Sequence, residues 1–306
     1  VNEIRANEGA LNLALAAEGS SADPSSMSGS SVNVSKSCAM YAEKSYSSTA
    51  LSTAENRITG TDSADTVALT GNLFARNGGL NAVRTGGGQD SVTLNGEMYA
   101  NQEGVNLIDA GLGENTVTVN GDMRIQNGGE NTITAGILTD DATGTVTRDT
   151  ADNSITVNGG MSARREYTGA AHSFDGGTNA ILTGDGYDTV IVNGDILGYN
   201  GGGNVINTGQ QFSAGKADSV TINGTLTAQI SNADIKDGML SKNEVTTHDL
   251  TVSVDRAGTT DTAAGSPARG PPLQPQPAAH NILLYREMTG TVKSAQDAHG
   301  DIASQL

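Results

Sequence analysis

The stretch Asn81 to Gly104, NAVRTGGGQDSVTLNGEMYANQEG, is followed after Val105 by Asn106 to Gly129, NLIDAGLGENTVTVNGDMRIQNGG. The two match position for position: Asn first, an apolar residue two places on, a glycine-rich run ending in Asp or Asn, an alternating run, Asn-Gly, and a second alternating run. Asn56, Asn81, Asn106 and Asn131 are each 25 residues apart, and so are Asn179 and Asn204. A fixed period of this kind marks a repeat architecture, in which one small unit stacks on copies of itself. Copies start at Asn12, Asn56, Asn81, Asn106, Asn131, Asn179 and Asn204, with a degenerate eighth near Asn243. The longer gaps, 44 residues from Asn12 to Asn56 and 48 from Asn131 to Asn179, carry their surplus near Glu18 to Ser30, Tyr41 to Glu55, Ile137 to Thr150 and Arg164 to Phe174. Surplus confined to the punctuation between apolar runs is what surface loops on a repeating scaffold produce. The opening, Ile4 to Asn12, already matches the last run of a unit, so further copies are expected upstream in a longer parent chain.

Three short runs in each unit alternate with period two, the signature of strands. The first centres on Ile58, Val83, Ile108, Ile133, Ile181 and Ile206. The second is Val67/Leu69, Val92/Leu94, Val117/Val119, Ile155/Val157, Val190/Val192 and Val220/Ile222. The third is Leu73/Ala75, Met98/Ala100, Met123/Ile125, Met161/Ala163 and Leu226/Ala228, and Cys38 reads as an inward position of this run, equivalent to Met98. Asn-Gly at Asn95, Asn120, Asn158, Asn193 and Asn223 lies between alternating runs and, as a hairpin turn, would build an antiparallel sandwich or propeller. Three strands per unit would then reverse direction in each successive copy and put identical residues in opposite surroundings. A parallel β-solenoid keeps every copy equivalent. The expected fold is therefore all-β, a parallel β-solenoid of about 25 residues and three short strands per coil, with coils about 4.8 Å apart and Asn-Gly supplying a left-handed corner. Seven steps between eight starts give a stack of about 34 Å.

Composition fits such a stack. Gly makes up 40 of the 306 residues, roughly twice the usual 7%, and aromatics are only 3% with no Trp. A thin interior of small and β-branched side chains does not need large ones. Asn at each unit start shares the parity of the inward residue two places on, so a buried ladder of Asn56, Asn81, Asn106 and Asn131 is expected, bonded amide to amide along the axis. Asn81→Leu should cost about 1 to 3 kcal/mol by unpairing corner groups. The net charge of −17 argues against nucleic acid and against anionic membrane surfaces, both of which would repel the chain. No stretch approaches the roughly 20 apolar residues that would insert across a bilayer, and a single Cys permits no intramolecular disulfide. The repeat pattern defines a solenoid region at 1–254. A Pro-rich linker is expected at 255–279, since five of the six prolines lie between Pro267 and Pro277. A short tail follows at 280–306, whose structure the sequence leaves open.

The corner between first and second runs reads TGGGQDSV from Thr85, AGLGENTV from Ala110 and TGDGYDTV from Thr183. It resembles the glycine-rich nonapeptide of RTX proteins, the calcium-binding repeats of bacterial proteins exported by type I secretion. Gly86, Gly88, Asp90 and Val92 fit that pattern, as do Gly184, Gly186, Asp188 and Val190. The resemblance covers one corner per unit and implies a secreted or cell-surface bacterial β-solenoid, with calcium as the candidate cofactor to weigh at its corners. Calcium takes six to eight oxygens, which stacked Asp side chains and corner carbonyls supply. The candidate ligands are Asp65 over Asp90 and Asp188 over Asp218, with Asp185 near the second pair. The alternative is structural: each Asp or Asn closes a turn with its own backbone.

Other patterns are less specific. Thr66, Ser91, Thr116, Ser154, Thr189 and Ser219 precede the second run's first apolar residue, with Ala68, Thr93, Thr118, Thr156, Ile191 and Thr221 two places on. Such rows are similar to those of ice-binding solenoids, although Ser and Thr are also ordinary exposed strand residues. Glu97, Asp122 and Asp195 form one outward acidic row, too little for the paired carboxylates of a glycosidase. The four His residues lack metal-ligand spacing, and no nucleophilic triad or phosphate-binding loop is present. The expected protein is a non-catalytic, adhesin-like or structural repeat protein, secreted or on the cell surface. It would bind a host or cell-surface glycan or protein through loops after Ile137, Arg164 and Gln210. A polysaccharide lyase or hydrolase on the same scaffold is the alternative, and an ice-binding solenoid the second.

Overall fold

A computed structural model describes residues 55–139, 143–164, 177–199, 202–209 and 218–231, together with strands at 3–7, 11–15, 33–36, 39–43, 242–246, 251–258, 261–262, 282–285 and 291–294. The described residues form an all-β structure of long parallel sheets and contain no helix. Each apolar run becomes a strand paired in parallel with its counterpart in the next copy. The first runs build a nine-stranded sheet from Leu11–Leu15 through Glu55–Thr59, Leu80–Arg84, Val105–Asp109, Glu130–Ala135, Thr178–Thr183, Gly203–Asn207 and Lys242–Thr246 to Ile282–Tyr285. Its register places Asn12 beside Asn56, Asn56 beside Asn81, and so on through Asn106, Asn131, Asn179 and Asn204 to Asn243. Second and third runs form a 17-stranded sheet, joined because Ser219–Ser231 contains one run of each kind.

Period-two alternation sorts the side chains. Every apolar residue assigned inward from Ile58 to Ala228 is at most 1% exposed, and most of them pack in one continuous cluster. The ends extend the pairing: Ile4 lies beside Met40, and Ile282–Tyr285 and Thr291–Ser294 pair in parallel with Lys242–Thr246 and Thr251–Gly258. In the strand Ile282–Tyr285, Ile282 stands where earlier copies have Asn. The Pro-rich segment from Pro267 to Pro277 lies outside the described residues.

Three expectations are corrected. Met40, not Cys38, occupies the Met98 position, because Met40 and Met98 both pair with Leu73. The spacing explains it: each third run begins six residues after the second run's first inward residue, as in Val92 to Met98, and six from Val34 gives Met40. Cys38 itself lies outside the described residues. Next, the Asn-Gly corners are not left-handed. Among the described residues, positive φ occurs at the third corner, as at Asn77 (55°), Gln102 (53°) and Asn127 (63°), in glycines such as Gly86 and Gly88 of the first, and at the second corner in Gly71 (108°), where Thr-Gly stands in place of Asn-Gly. Finally, the surplus after Ile137 is not a bare loop. Ile137–Thr139 and Val146–Arg148 form an antiparallel hairpin carrying Leu138 and Val146, the two exposed large hydrophobics among the described residues.

Candidate functional site

Asp65, Asp90, Asn115, Asn153, Asp188 and Asp218 form one buried column at the first corner, each at most 3% exposed. Glycine-rich corners turn the chain tightly enough to aim each side chain inward, over the backbone of the copy before. The N–H of Asp65 donates to Asp90 Oδ1 (2.7 Å), that of Asp90 to Asn115 Oδ1 (3.1 Å), and that of Asn115 to Asn153 Oδ1 (3.1 Å). Asn153 N–H donates to Asp188 Oδ1 (2.7 Å) and Asp188 N–H to Asp218 Oδ1 (3.0 Å). The structure thus brings together four of the five candidate ligands. It sets Asp185 apart, half-buried on the corner's outer side.

The second carboxylate oxygens differ. Asp65 Oδ2 accepts the N–H of Thr61 (2.6 Å) and Asp218 Oδ2 accepts the Thr208 hydroxyl (2.7 Å). Asp90 Oδ2 and Asp188 Oδ2 are buried and meet no hydrogen-bond partner. Where the column has Asn, the corresponding Nδ2 is used: Asn115 donates to Gly111 O (3.0 Å) and Gly113 O (2.9 Å), and Asn153 to Ala151 O (2.9 Å). One uncommitted carboxylate oxygen per pair falls short of the six to eight oxygens of a calcium ion. Among the described residues, no group of three or more His, Cys, Asp or Glu is placed to hold a metal. The donor set therefore does not fit calcium, and millimolar calcium is expected to leave the melting temperature unchanged. A rise that Asp90→Asn and Asp188→Asn abolish would restore the metal.

Burial, which penalises the charged form, pushes Asp188 up to about 7 and Asp90 up to about 6. The negative charges of Asp218 and Asp65 add to this, while backbone donors and the Thr183 and Thr85 hydroxyls act against it. Thr183 moderates its neighbour without reaching hydrogen-bond geometry, since its own hydroxyl is buried and unpaired. A carboxyl whose folded pKa is raised favours the folded state fully below its unfolded value near 4, and loses that contribution as pH rises through 6 and 7. Asp90→Asn/Asp188→Asn should therefore raise stability at pH 8, by about 1 to 3 kcal/mol, and flatten the fall in melting temperature between pH 5 and pH 8. An unaltered pH profile would show that these carboxyls do not titrate there.

The outer rows have structural uses that the sequence did not reveal. Asn72 Oδ1, Asp122 Oδ1 and Asp195 Oδ1 accept the N–H groups of Glu97 (2.9 Å), Gly160 (2.9 Å) and Thr225 (2.8 Å), so this polar row ties the second corner of one copy to the next. Beside it runs an exposed amide ladder. Asn120 Nδ2 donates to Asn95 Oδ1 (2.6 Å), Asn158 to Asn120 (2.6 Å), Asn193 to Asn158 (2.7 Å) and Asn223 to Asn193 (2.7 Å). The recurrence of Asn-Gly directly after the second run in five copies was the signal for it. The Ser/Thr rows lie in register on the outward side of the second strands. The loops after Arg164 and Gln210, and all four His, lie outside the described residues. Comparison with protein-family models, with curated proteins and with solved structures found no match.

Proposed function

We propose that the chain is a stretch of a parallel β-solenoid, about 25 residues and three short strands per coil, that serves as a stiff, acidic, non-catalytic rod for adhesion or structural display. The observation that carries this reading is the unbroken stack of like on like from Asn56 to Asn204, whose polar groups are spent on holding successive copies together. Its acidic surface and the resemblance of its corners to RTX repeats support a secreted or cell-surface setting. Duplicating one 25-residue copy should lengthen the particle by about 4.8 Å at constant cross-section in small-angle scattering. A particle that swells in all directions would overturn the solenoid. Beads coated with the chain should adhere to cell surfaces without altering them, whereas release of cut glycan fragments would replace the rod with an enzyme.

A further inference from the structure

The third strands present an outward surface unlike the rest of the molecule. Among the described residues, the three exposed arginines, Arg76, Arg124 and Arg164, all stand on it. Between Leu73 and Tyr199 these strands place no Asp or Glu outward, on a chain whose net charge is −17. Most of the aromatic rings among the described residues lie here as well. Phe74 stacks on Tyr41 with ring centroids 4.8 Å apart, and Tyr99 is tilted 58° from Phe74 at 6.3 Å. The Tyr99 hydroxyl donates to Gln126, which pairs in register with Arg164. By contrast, the outward positions of the second strands from Thr66 to Thr221 carry hydroxyls, amides and small apolar groups, with no charge.

We propose that this strip binds a linear acidic polysaccharide laid along the stack, an assignment that gives the adhesive reading its ligand class and rests on that reading. Guanidinium groups match carboxylates in paired hydrogen bonds. Tyr and Phe offer apolar edges, and Tyr a polar tip, to sugar rings and hydroxyls. Arg76 and Arg164 share one outward position three strand steps apart, about 14 Å, and Arg124 stands at the neighbouring outward position, one step from Arg164 and two from Arg76, so positive charge recurs at about 5 and 10 Å along the axis. A polymer with one carboxylate per sugar has charges on that scale. Duplex nucleic acid carries one charge per roughly 1.7 Å, about three times the density of such a polymer, and meets correspondingly more repulsion from the acidic molecule. Arg124 is held 3.0 Å from Glu97, so a polymer carboxylate competes there with a resident one, and Arg76 stands beside Glu43 in the strand register, which leaves Arg164 as the stronger anchor.

Affinity electrophoresis of the full chain with polygalacturonate, against its fully methyl-esterified form, separates charge from sugar shape. Binding to the charged polymer alone, weakened by salt, and reduced about tenfold or more by Arg76→Gln/Arg164→Gln is the expected result. Both side chains are exposed, and an unchanged circular dichroism spectrum verifies folding of the variant. Equal binding of both polymers, no loss in the variant, or equally tight binding of duplex DNA would overturn the strip. Failure to bind polygalacturonate while the duplicated-copy chain still lengthens removes the strip and leaves the rod. A fall in polymer viscosity with binding intact removes the non-catalytic rod and leaves the strip.

Discussion

Asn106→Leu is expected to destabilise the protein by about 3 to 6 kcal/mol, read as a lower melting temperature and as lost hydrogen-exchange protection in the adjoining copies. The amide does four things at once. Its Nδ2 donates to Asn131 Oδ1 (2.8 Å), Met98 O (3.1 Å) and Arg124 O (3.1 Å), while its Oδ1 accepts Asn81 Nδ2 (2.7 Å). Met98 belongs to the strand that leads into Asn106, and Arg124 to its neighbour in the next copy, so one side chain clamps the third corner in both directions. Leucine fits the volume and leaves these groups unpaired in a site with no exposed surface. The penalty per buried unpaired group is about 1 to 3 kcal/mol, and several are created together. Asn106→Asp should not rescue, since it keeps the acceptor, loses the donors and buries a charge. A loss below about 1 kcal/mol would mean that water reaches these groups and the ladder is ornamental.

Gly121→Ala is expected to cost about 3 kcal/mol or more, although the residue sits at an exposed corner where a methyl group is normally harmless. A Cβ at Gly121 would lie 2.1 Å from Gly96 O and 2.4 Å from Gly96 C. These are backbone atoms of the copy before and cannot move without parting the strands on either side. The same contact recurs up the corner, with a Cβ at Gly96 2.4 Å from Gly71 O and one at Gly194 2.4 Å from Gly159 O. Asn120→Ala is the control. It removes exposed amide bonds to Asn95 and Asn158 and should cost less than about 1 kcal/mol. Equal, small effects of the two substitutions would show that the copies are not pressed together at this corner.

These two positions mark where sequence reading was sufficient and where it was not. Asn106 was legible as a buried, stacked amide, because its parity with Ile108 placed it inside and its 25-residue recurrence placed Asn over Asn. That it also binds two carbonyls of third strands was not legible, since those partners lie 8 and 18 residues away and meet it only when the corner closes. For Gly121 the residue type was read correctly and the reason was not. A positive φ and a close overhead carbonyl select glycine equally well, and only the packing of one copy on the next distinguishes them. The acidic corner divides in the same way. Periodicity placed Asp65 beside Asp90 and Asp188 beside Asp218, but the commitment of Asp90, Asp188 and Asp218 Oδ1 to N–H groups of neighbouring copies emerged from the stacking of corners.

What the sequence by itself determined is everything that depends on period and parity: which residues face inward, that strands pair with their counterparts, and which copies are neighbours. Alternation at two and recurrence at 25 are properties of the chain alone, and side-chain burial follows from them through the hydrophobic effect. Tertiary structure alone decided what each polar residue is for. A hydrogen bond has a direction and a reach of about 3 Å, so whether Asp90 or Asn115 serves a metal, a turn or the backbone of the neighbouring copy depends on distances that no one-dimensional pattern contains. It also decided the surface, where Arg76, Arg124 and Arg164, separated by 48 and 40 residues in the chain, come to share one face.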